Sequence, residues 1–264
     1  MSEPDPVLLR HRALEQIAMA ALHAARVLME SGARAQVIHQ CAVMVATGLG
    51  AEQAAFRSGY ASLAMTVTSG SNSITRMVEV GRHGVNHRLD QGIRKLAVRV
   101  AEGGMTAEET RREIDALVRQ TARHPAWLVA LAVGLACAAF GRLFGVDWAG
   151  FAAAAFAAAI GQYLRHELIV RKVNGFVIAA VIAFAAAGLG VAGARLLGSA
   201  TADLALMASV LLLVPGVPAL NAQMDIMEGS PTLGSARAVT VVMVMVFVTL
   251  GVWLAQAVAR LVAA

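Results

Sequence analysis

The sequence has few charged residues and few cysteines, and each shortage excludes a class of protein. Charged residues make up 15% of the 264-residue chain and hydrophobic residues 58%, against about 25% and about 45–50% in ordinary soluble domains. With two cysteines, Cys41 and Cys137, the chain cannot build a disulfide framework or a CxxC metal site. The composition therefore argues against a single soluble globule.

The charges that are present lie mostly in the first half of the chain. Residues 1–124 carry 27 of the 39 charged residues, and residues 125–264 carry the other 12. Acidic residues interleave the arginines, so the net charge of +5 forms no concentrated basic face of the kind that nucleic acids require. We predict a water-exposed domain followed by a membrane domain, with no nucleic-acid partner.

The first half predicts a small α+β domain. Residues 1–11 are expected to be a disordered tail, and residues 12–124 to fold in the order ααββαα. Apolar residues recur at helical spacing on both sides of a stretch, residues 60–80, in which the period changes to two. This alternation, interrupted by Ser69-Gly70-Ser71-Asn72, predicts a β-hairpin. Thr106 and Glu109 have the spacing of a capping box at the start of the last helix.

The second half, residues 125–264, predicts an α-helical integral membrane domain. A spanning helix needs roughly 17–25 mostly apolar residues, and five segments qualify. Lysines and arginines are concentrated before the first segment and between the second and third, which by the positive-inside rule places the N-terminal domain in the cytosol. No uninterrupted apolar signal segment occurs in the first thirty residues, in agreement with this orientation. The predicted spans are residues 126–144, 148–164, 174–197, 203–224 and 236–259.

The fourth predicted span contains a proline-rich break. Pro215 and Pro218 flank Gly216, and proline removes a backbone donor and clashes with the preceding helical turn. Transporters use such discontinuous helices to bind substrates and coupling ions. Asn221 and Asp225 follow at i,i+4 spacing on one helical face, and a carboxyl in this part of a membrane protein is a functional candidate by default. We expect a hinge at Pro215–Pro218, substrate hydrogen bonding by Asn221, and proton or ammonium binding by Asp225, whose burial would favour the neutral carboxyl. The alternative is a solvated surface loop.

Arg76 is a second candidate, because it falls on the face of the hairpin where an apolar residue is expected. Two interpretations remain open: a buried ion-pair partner, which is the more common case, or a residue that faces a substrate vestibule.

No metal site, cofactor site or enzyme active site is expected. Glu79, His83 and His87 could share a helical face, but Gly81 and Gly84 interrupt the helix and a fourth ligand is lacking. The chain shows no glycine-rich phosphate loop, no nucleophile elbow and no paired-carboxylate site.

Two motifs together resemble the threonine/serine exporter family. The first is TRMVEV-x-x-x-GVNHRLD at Thr75–Asp90, and the second is P-G-x-P-x-x-N-x-x-x-D-x-x-x-G from Pro215 to Gly229. The resemblance covers about residues 12–258, and the second motif is the more specific. Because five spans are predicted, the chain resembles the larger subunit of the split form of these exporters.

The resemblance implies an inner-membrane secondary exporter of small polar metabolites, threonine and serine or related amino acids. Because no nucleotide-binding motif is visible, we expect protons rather than ATP to drive it. It also implies a separate small membrane subunit as partner, and it leaves open a homo-oligomer. One alternative is export of dicarboxylates such as succinate. Another is a non-transporting regulatory protein that the spans merely anchor, although an anchor would need no broken helix.

Overall fold

The computed structural model describes residues 10–121 and 124–263, and it is mostly helical with one small sheet. Residues 1–9 of the predicted tail lie outside the described residues. The elements, in chain order, are α1 His11–Glu30, α2 Ala35–Gly48, β1 Gln53–Ser58, β2 Ser62–Ser69, β3 Asn72–Glu79, α3 His87–Ala101, α4 Ala107–Gln120, α5 Ala126–Leu143, α6 Trp148–Val170, α7 Gly175–Leu196, α8 Ala202–Val210, a 3-10 turn Leu211–Leu213, α9 Gly216–Met227 and α10 Pro231–Ala263.

These elements divide between two compact units. The first unit contains the described residues before 122 together with Val217–Ala238, and the second contains the residues from 124 to Gly216 together with those from Val239 onward. Most of α9 and the first two turns of α10 therefore belong to the first unit, whereas the composition predicts that everything after residue 124 belongs to the membrane domain.

The first unit packs α1 and α2 against an antiparallel meander with strand order β1-β2-β3. Along β2 the side chains alternate strictly, and Leu63, Met65 and Val67 are buried in a core that also contains Leu14, Leu22 and Leu28 of α1. The predicted hairpin is present, and its turn lies between the paired residues Ser69 and Asn72.

Strand β1 was not predicted from the sequence, so the observed order is ααβββαα. Within Gln53–Ser58 only Phe56 is buried, and it pairs with Met65 of β2. One buried apolar residue in six gives no recognisable alternation. The strand forms because β2 offers it a free edge, which is a tertiary effect.

The capping box predicted at the start of α4 is confirmed. The Glu109 N–H donates to the Thr106 side chain, and the Glu109 carboxylate accepts from the Thr106 N–H at 2.8 Å.

In the second unit, small residues allow close helix packing. A Cβ atom added at Gly134 of α5 would collide with the Ala155 carbonyl of α6, and one added at Gly251 of α10 would collide with the Ala180 carbonyl of α7. Such contacts explain the alanine-rich and glycine-rich composition of these helices.

Three helices of the described residues are long and apolar enough to cross a membrane: α5, α7 and α10, the last over Pro231–Leu261. The pair formed by Ala202–Leu213 and Gly216–Met227 qualifies jointly, with a bend of 59° at its break. The second predicted span, residues 148–164, lies within the 23-residue helix α6, which is not among these candidates because polar residues such as Gln162, Arg165 and Glu167 lower its mean hydropathy.

The break in the fourth predicted span lies at Val214 and Pro215. Val214 has an extended backbone, and α9 begins at Gly216. Pro218 lies in the first turn of α9, which begins at Gly216. The N–H groups of a first turn have no acceptor within the helix, so the missing N–H of proline is tolerated there. The predicted discontinuity is therefore present, with both prolines beside it.

Candidate functional site: a polar cluster on the α1–α2 turn

The candidate site is built around the short turn between α1 and α2, residues Ser31–Arg34. Gly32 has a positive φ of 86°, and a Cβ atom there would lie 2.6 Å from the Gly84 carbonyl oxygen. Only glycine combines this backbone conformation with such a close approach. The turn therefore presents its backbone groups to the segments that surround it.

The first of the two motifs, Thr75–Asp90, contacts this turn through its backbone. The Gly84 N–H donates to the Glu30 carbonyl at 2.9 Å, and the Asn86 N–H donates to the Ser31 carbonyl at 3.0 Å. The Asn86 side chain also accepts from the Leu89 N–H and so caps α3. The segment between β3 and α3 is thus fastened to the end of α1.

The second motif contacts the same turn through side chains on one face of α9. The Asn221 amide Nδ2 donates to the Gly32 carbonyl at 2.7 Å, and Asp225 Oδ1 accepts from the Ala35 N–H at 2.8 Å. Glu228, just beyond α9, pairs with Arg34 at 2.7 Å. The two motifs, which are about 125 residues apart in sequence, therefore meet on the α1–α2 turn.

Arg237 of α10 completes the cluster, and it was not predicted from the sequence. Its Nη1 atom lies 2.5 Å from Asp225 Oδ2, while Nη2 donates to the Ala33 carbonyl at 2.9 Å and contacts the Met29 sulfur at 3.2 Å. The Arg237 side chain is 6% exposed and the Asp225 side chain 0%. We call Asn221, Asp225, Glu228, Arg34 and Arg237 the turn cluster.

Asp225 is hydrogen-bonded on both carboxylate oxygens. Asp225 is buried, so the solvated-loop alternative is wrong, yet its carboxylate has a guanidinium and a backbone N–H as partners. Removing one partner of such a buried pair strongly destabilises the folded protein, because the other charge is left uncompensated.

Glu228 is less completely satisfied than Asp225. One carboxylate oxygen pairs with Arg34, and the other, Oε2, is buried without a hydrogen-bond partner among the described residues. Asn221, by contrast, has committed its amide N–H to Gly32. Its predicted substrate role stays a prediction, for which the amide oxygen and the second Nδ2 hydrogen are left.

The structure does not bring Arg76 into the cluster. Its Nε and Nη2 atoms donate to Glu15 of α1 at 3.0 and 2.8 Å, and the two side chains are 38% and 46% exposed. This geometry is the ion pair of the first interpretation, although the pair is not buried. An exposed pair of this kind contributes about 0–1 kcal/mol.

The metal hypothesis finds no support in the surroundings of His83. The His83 ring stacks on Tyr60 with 4.3 Å between centroids and donates from Nε2 to the Tyr60 carbonyl. Within residues 10–121 and 124–263 no group of three or more His, Cys, Asp or Glu side chains could hold a metal ion.

Comparison with known proteins decides the family. The family model described as "Putative threonine/serine exporter" (ThrE) matches residues 19–259. The chain belongs to the threonine/serine exporter family. The resemblance drawn from the two motifs is thereby confirmed, and both motifs lie inside the matched range.

Two curated relatives of this exporter-family chain are named as transporter subunits. It is 27% identical over 211 residues to the "Probable succinate transporter subunit YjjP" of Escherichia coli, a match that covers 80% of this chain and 82% of the relative. The protein of the same name from Klebsiella aerogenes is 26% identical, with 80% and 81% covered. An uncharacterized protein of Haemophilus influenzae is 24% identical over 53% of this chain and 46% of its own length. No solved structure matches the chain.

Proposed function

We propose that this chain is a subunit of an inner-membrane secondary exporter of small polar metabolites that carry a carboxylate, driven by protons. The observation that carries the proposal is a single one. The candidate span formed by α8 and α9 is broken at Pro215, and α9 ends in a buried ion pair that also bonds the α1–α2 turn. A protein that merely anchors a regulatory domain has no need of such a break.

The contacts of the first unit support five spans with a cytosolic N-terminal unit. Residues 221–237 contact the α1–α2 turn, so both ends of the segment from residue 124 to Asp225 belong on one side of the membrane. The number of crossings between them is then even. Helices α5 and α7 and the bent pair supply three, and α6 supplies the fourth, since its 23 residues extend about 34 Å. Helix α10 adds the fifth.

The Asp225–Arg237 pair is the proposed coupling element. Asp225 is buried, it is bound to Arg237 and to the Ala35 N–H, and it lies on the helix that follows the break at Pro215. An ionisable residue in this part of a transporter is a functional candidate by default. We propose that Asp225 is the coupling residue and that the break at Pro215–Pro218 is the hinge.

Two substrate candidates follow from the comparisons. The family description names threonine and serine, and both YjjP relatives are named for succinate. Their shared chemistry is a small polar molecule with at least one carboxylate. The subunit designation of the relatives supports the separate small membrane partner that the resemblance implies.

The experiment that tests the proposal is export measured in inverted membrane vesicles. Cells express this chain alone, its small membrane partner alone, or both, and uptake of radiolabelled succinate, threonine and serine is followed with and without an imposed proton gradient. Gradient-dependent uptake that needs both proteins supports the proposal. Vesicles that contain both proteins in the membrane and accumulate none of the three substrates contradict it and favour the anchor.

A further inference from the structure

Arg165 stands apart from the other charged residues of the second unit. The sequence predicts that it lies in the loop between two spans, but the structure places it inside α6, more than one turn before the helix ends at Val170. The side chain is partly buried, and its Nη1 atom donates to the Leu212 carbonyl at 3.4 Å.

The Leu212 carbonyl is available because the helix breaks there. In a continuous helix its partner would be the N–H of Gly216, four residues later. That N–H instead donates to the Val214 carbonyl at 2.9 Å, and Pro215 has no N–H to offer. The break therefore leaves an acceptor beside the guanidinium of Arg165.

The charge of Arg165 has no counterion within reach. In the parts of the chain that the structure describes, no Asp or Glu oxygen lies within 4.0 Å of its guanidinium, whereas Arg237, Arg76 and Arg94 are all paired. Glu167 is two residues further along α6, about 200° around the helix. On the helices packed against α6 the charged residues lie at the ends: Arg142 of α5, Arg195 of α7 and Asp203 of α8.

In the proposed topology α6 crosses the membrane, where a partly buried arginine without a counterion is costly and is a functional candidate by default. A single bond of 3.4 Å leaves most of the five guanidinium N–H groups free for a ligand. We propose that Arg165 binds the carboxylate of the transported substrate, while the Leu212 carbonyl accepts from a hydroxyl or ammonium group of the same molecule. This inference rests on the proposed function and adds the subsite that recognises the substrate.

The test compares Arg165→Gln with Arg165→Lys in vesicles that contain both subunits. The control is Arg171→Gln, which removes the same charge from an exposed position one residue beyond α6. For whichever substrate the wild type carries, KM and kcat are measured, together with inhibition by the free acid and by its amide (succinamate for succinate, threonine amide for threonine).

We expect Arg165→Gln to raise KM about 10- to 100-fold with a smaller change in kcat, because charge-assisted hydrogen bonds are the strong class. The free acid should lose its advantage over the amide in this variant and keep it in Arg171→Gln, and Arg165→Lys should recover part of the KM. The acid-to-amide ratio is read within one preparation, so a lower protein yield does not obscure it. An unchanged acid-to-amide ratio and an unchanged KM in Arg165→Gln overturn the inference about Arg165 without contradicting the proposed export function. Absence of transport by the wild-type protein contradicts the proposed function itself.

Discussion

Asp225 and Arg237 form a buried ion pair that joins the end of α9 to the start of α10, with 2.5 Å between carboxylate oxygen and guanidinium nitrogen. Each partner also bonds the backbone of the α1–α2 region, Asp225 at Ala35 and Arg237 at Ala33. One pair thus connects the segment that follows the helix break to the N-terminal unit.

The ion pair is expected to contribute far more to stability than an exposed pair does. Asp225→Asn and Arg237→Gln should each lower the free energy of unfolding by about 3–5 kcal/mol, because a buried charge is left alone. The double variant should lose less than the sum of the two. Arg34 and Glu228 provide the matched control, since their side chains are 38% and 18% exposed. A double-mutant cycle of these two residues should give a coupling energy of about 0–1 kcal/mol. If the losses in free energy of unfolding from Asp225→Asn and Arg237→Gln simply add in the double variant, the two residues do not form the stabilising ion pair described above. The measurement is denaturant or thermal unfolding of the detergent-solubilised complex.

The α1–α2 turn is expected to tolerate no side chain at Gly32. An alanine there would be strained at φ 86° and would overlap the Gly84 carbonyl. Gly103 is the control, because it has a φ of 92° with no atom within 4 Å of the position that a Cβ atom would occupy. Gly103→Ala therefore suffers the backbone strain alone, and Gly32→Ala should melt at a lower temperature than Gly103→Ala. Equal melting temperatures would mean that the contact with Gly84 is unimportant.

Acid should destabilise the first unit through His23. Burial lowers the pKa of this histidine below its ordinary value of 6.5, and the nearby Asp115 carboxylate opposes the shift only in part. The unfolded chain then takes up its proton at a higher pH than the folded chain does. The stabilising contribution of neutral His23 is complete above pH 6.5 and is lost as the pH falls through the folded-state pKa.

His23→Gln should therefore flatten the decline in melting temperature between neutral and mildly acidic pH. His124, which is exposed, is replaced by Gln as the control. Thermal unfolding followed by circular dichroism at several pH values is the measurement, and an identical pH profile for His23→Gln and wild type would remove His23 from the explanation.

The proposed topology makes α6 the decisive helix. Single cysteines at Glu108, Lys172 and Gly145, introduced after Cys41 and Cys137 are replaced by serine, should react with a membrane-impermeant reagent from different sides. Five spans place Glu108 and Lys172 in the cytosol and Gly145 outside. If the bent pair were instead re-entrant and α6 did not cross, Lys172 would label from outside. Labelling in intact cells and in inverted vesicles separates the two topologies.

The helix break should be needed for transport but not for insertion. Replacing Pro215 and Pro218 together by alanine restores a backbone donor and removes a clash, so a continuous helix becomes favourable. Export should fall about tenfold or more, which corresponds to about 1.4 kcal/mol in the barrier, while the amount of protein in the membrane stays the same. Pro231→Ala is the control, because Pro231 is the first residue of α10, a position that proline favours. Normal export by the double variant would leave the prolines as tolerated residues without a hinge role.

The local features of the fold were predictable, and the long-range ones were not. The helix break follows from the prolines themselves, and the shared face of Asn221 and Asp225 follows from their i,i+4 spacing. Their partners at Gly32 and Ala35 lie about 190 residues earlier in the chain, and no local pattern encodes such a pairing. Arg237 did leave a signal, as a lone arginine near the start of a long apolar helix, twelve residues after the only buried aspartate of α9.

The measurement that tests the central claim most directly is substrate flux against an imposed pH gradient. The variants are Asp225→Asn and the double variant Asp225→Asn with Arg237→Gln, which avoids an unpaired buried arginine, and the control is Arg34→Gln with Glu228→Gln. If the Asp225–Arg237 pair couples proton movement to export, both Asp225 variants should lose gradient-driven accumulation while the double variant still exchanges labelled for unlabelled substrate. The control should keep its response to the gradient. An unchanged pH response in the double variant would contradict the account and remove Asp225 from the coupling mechanism.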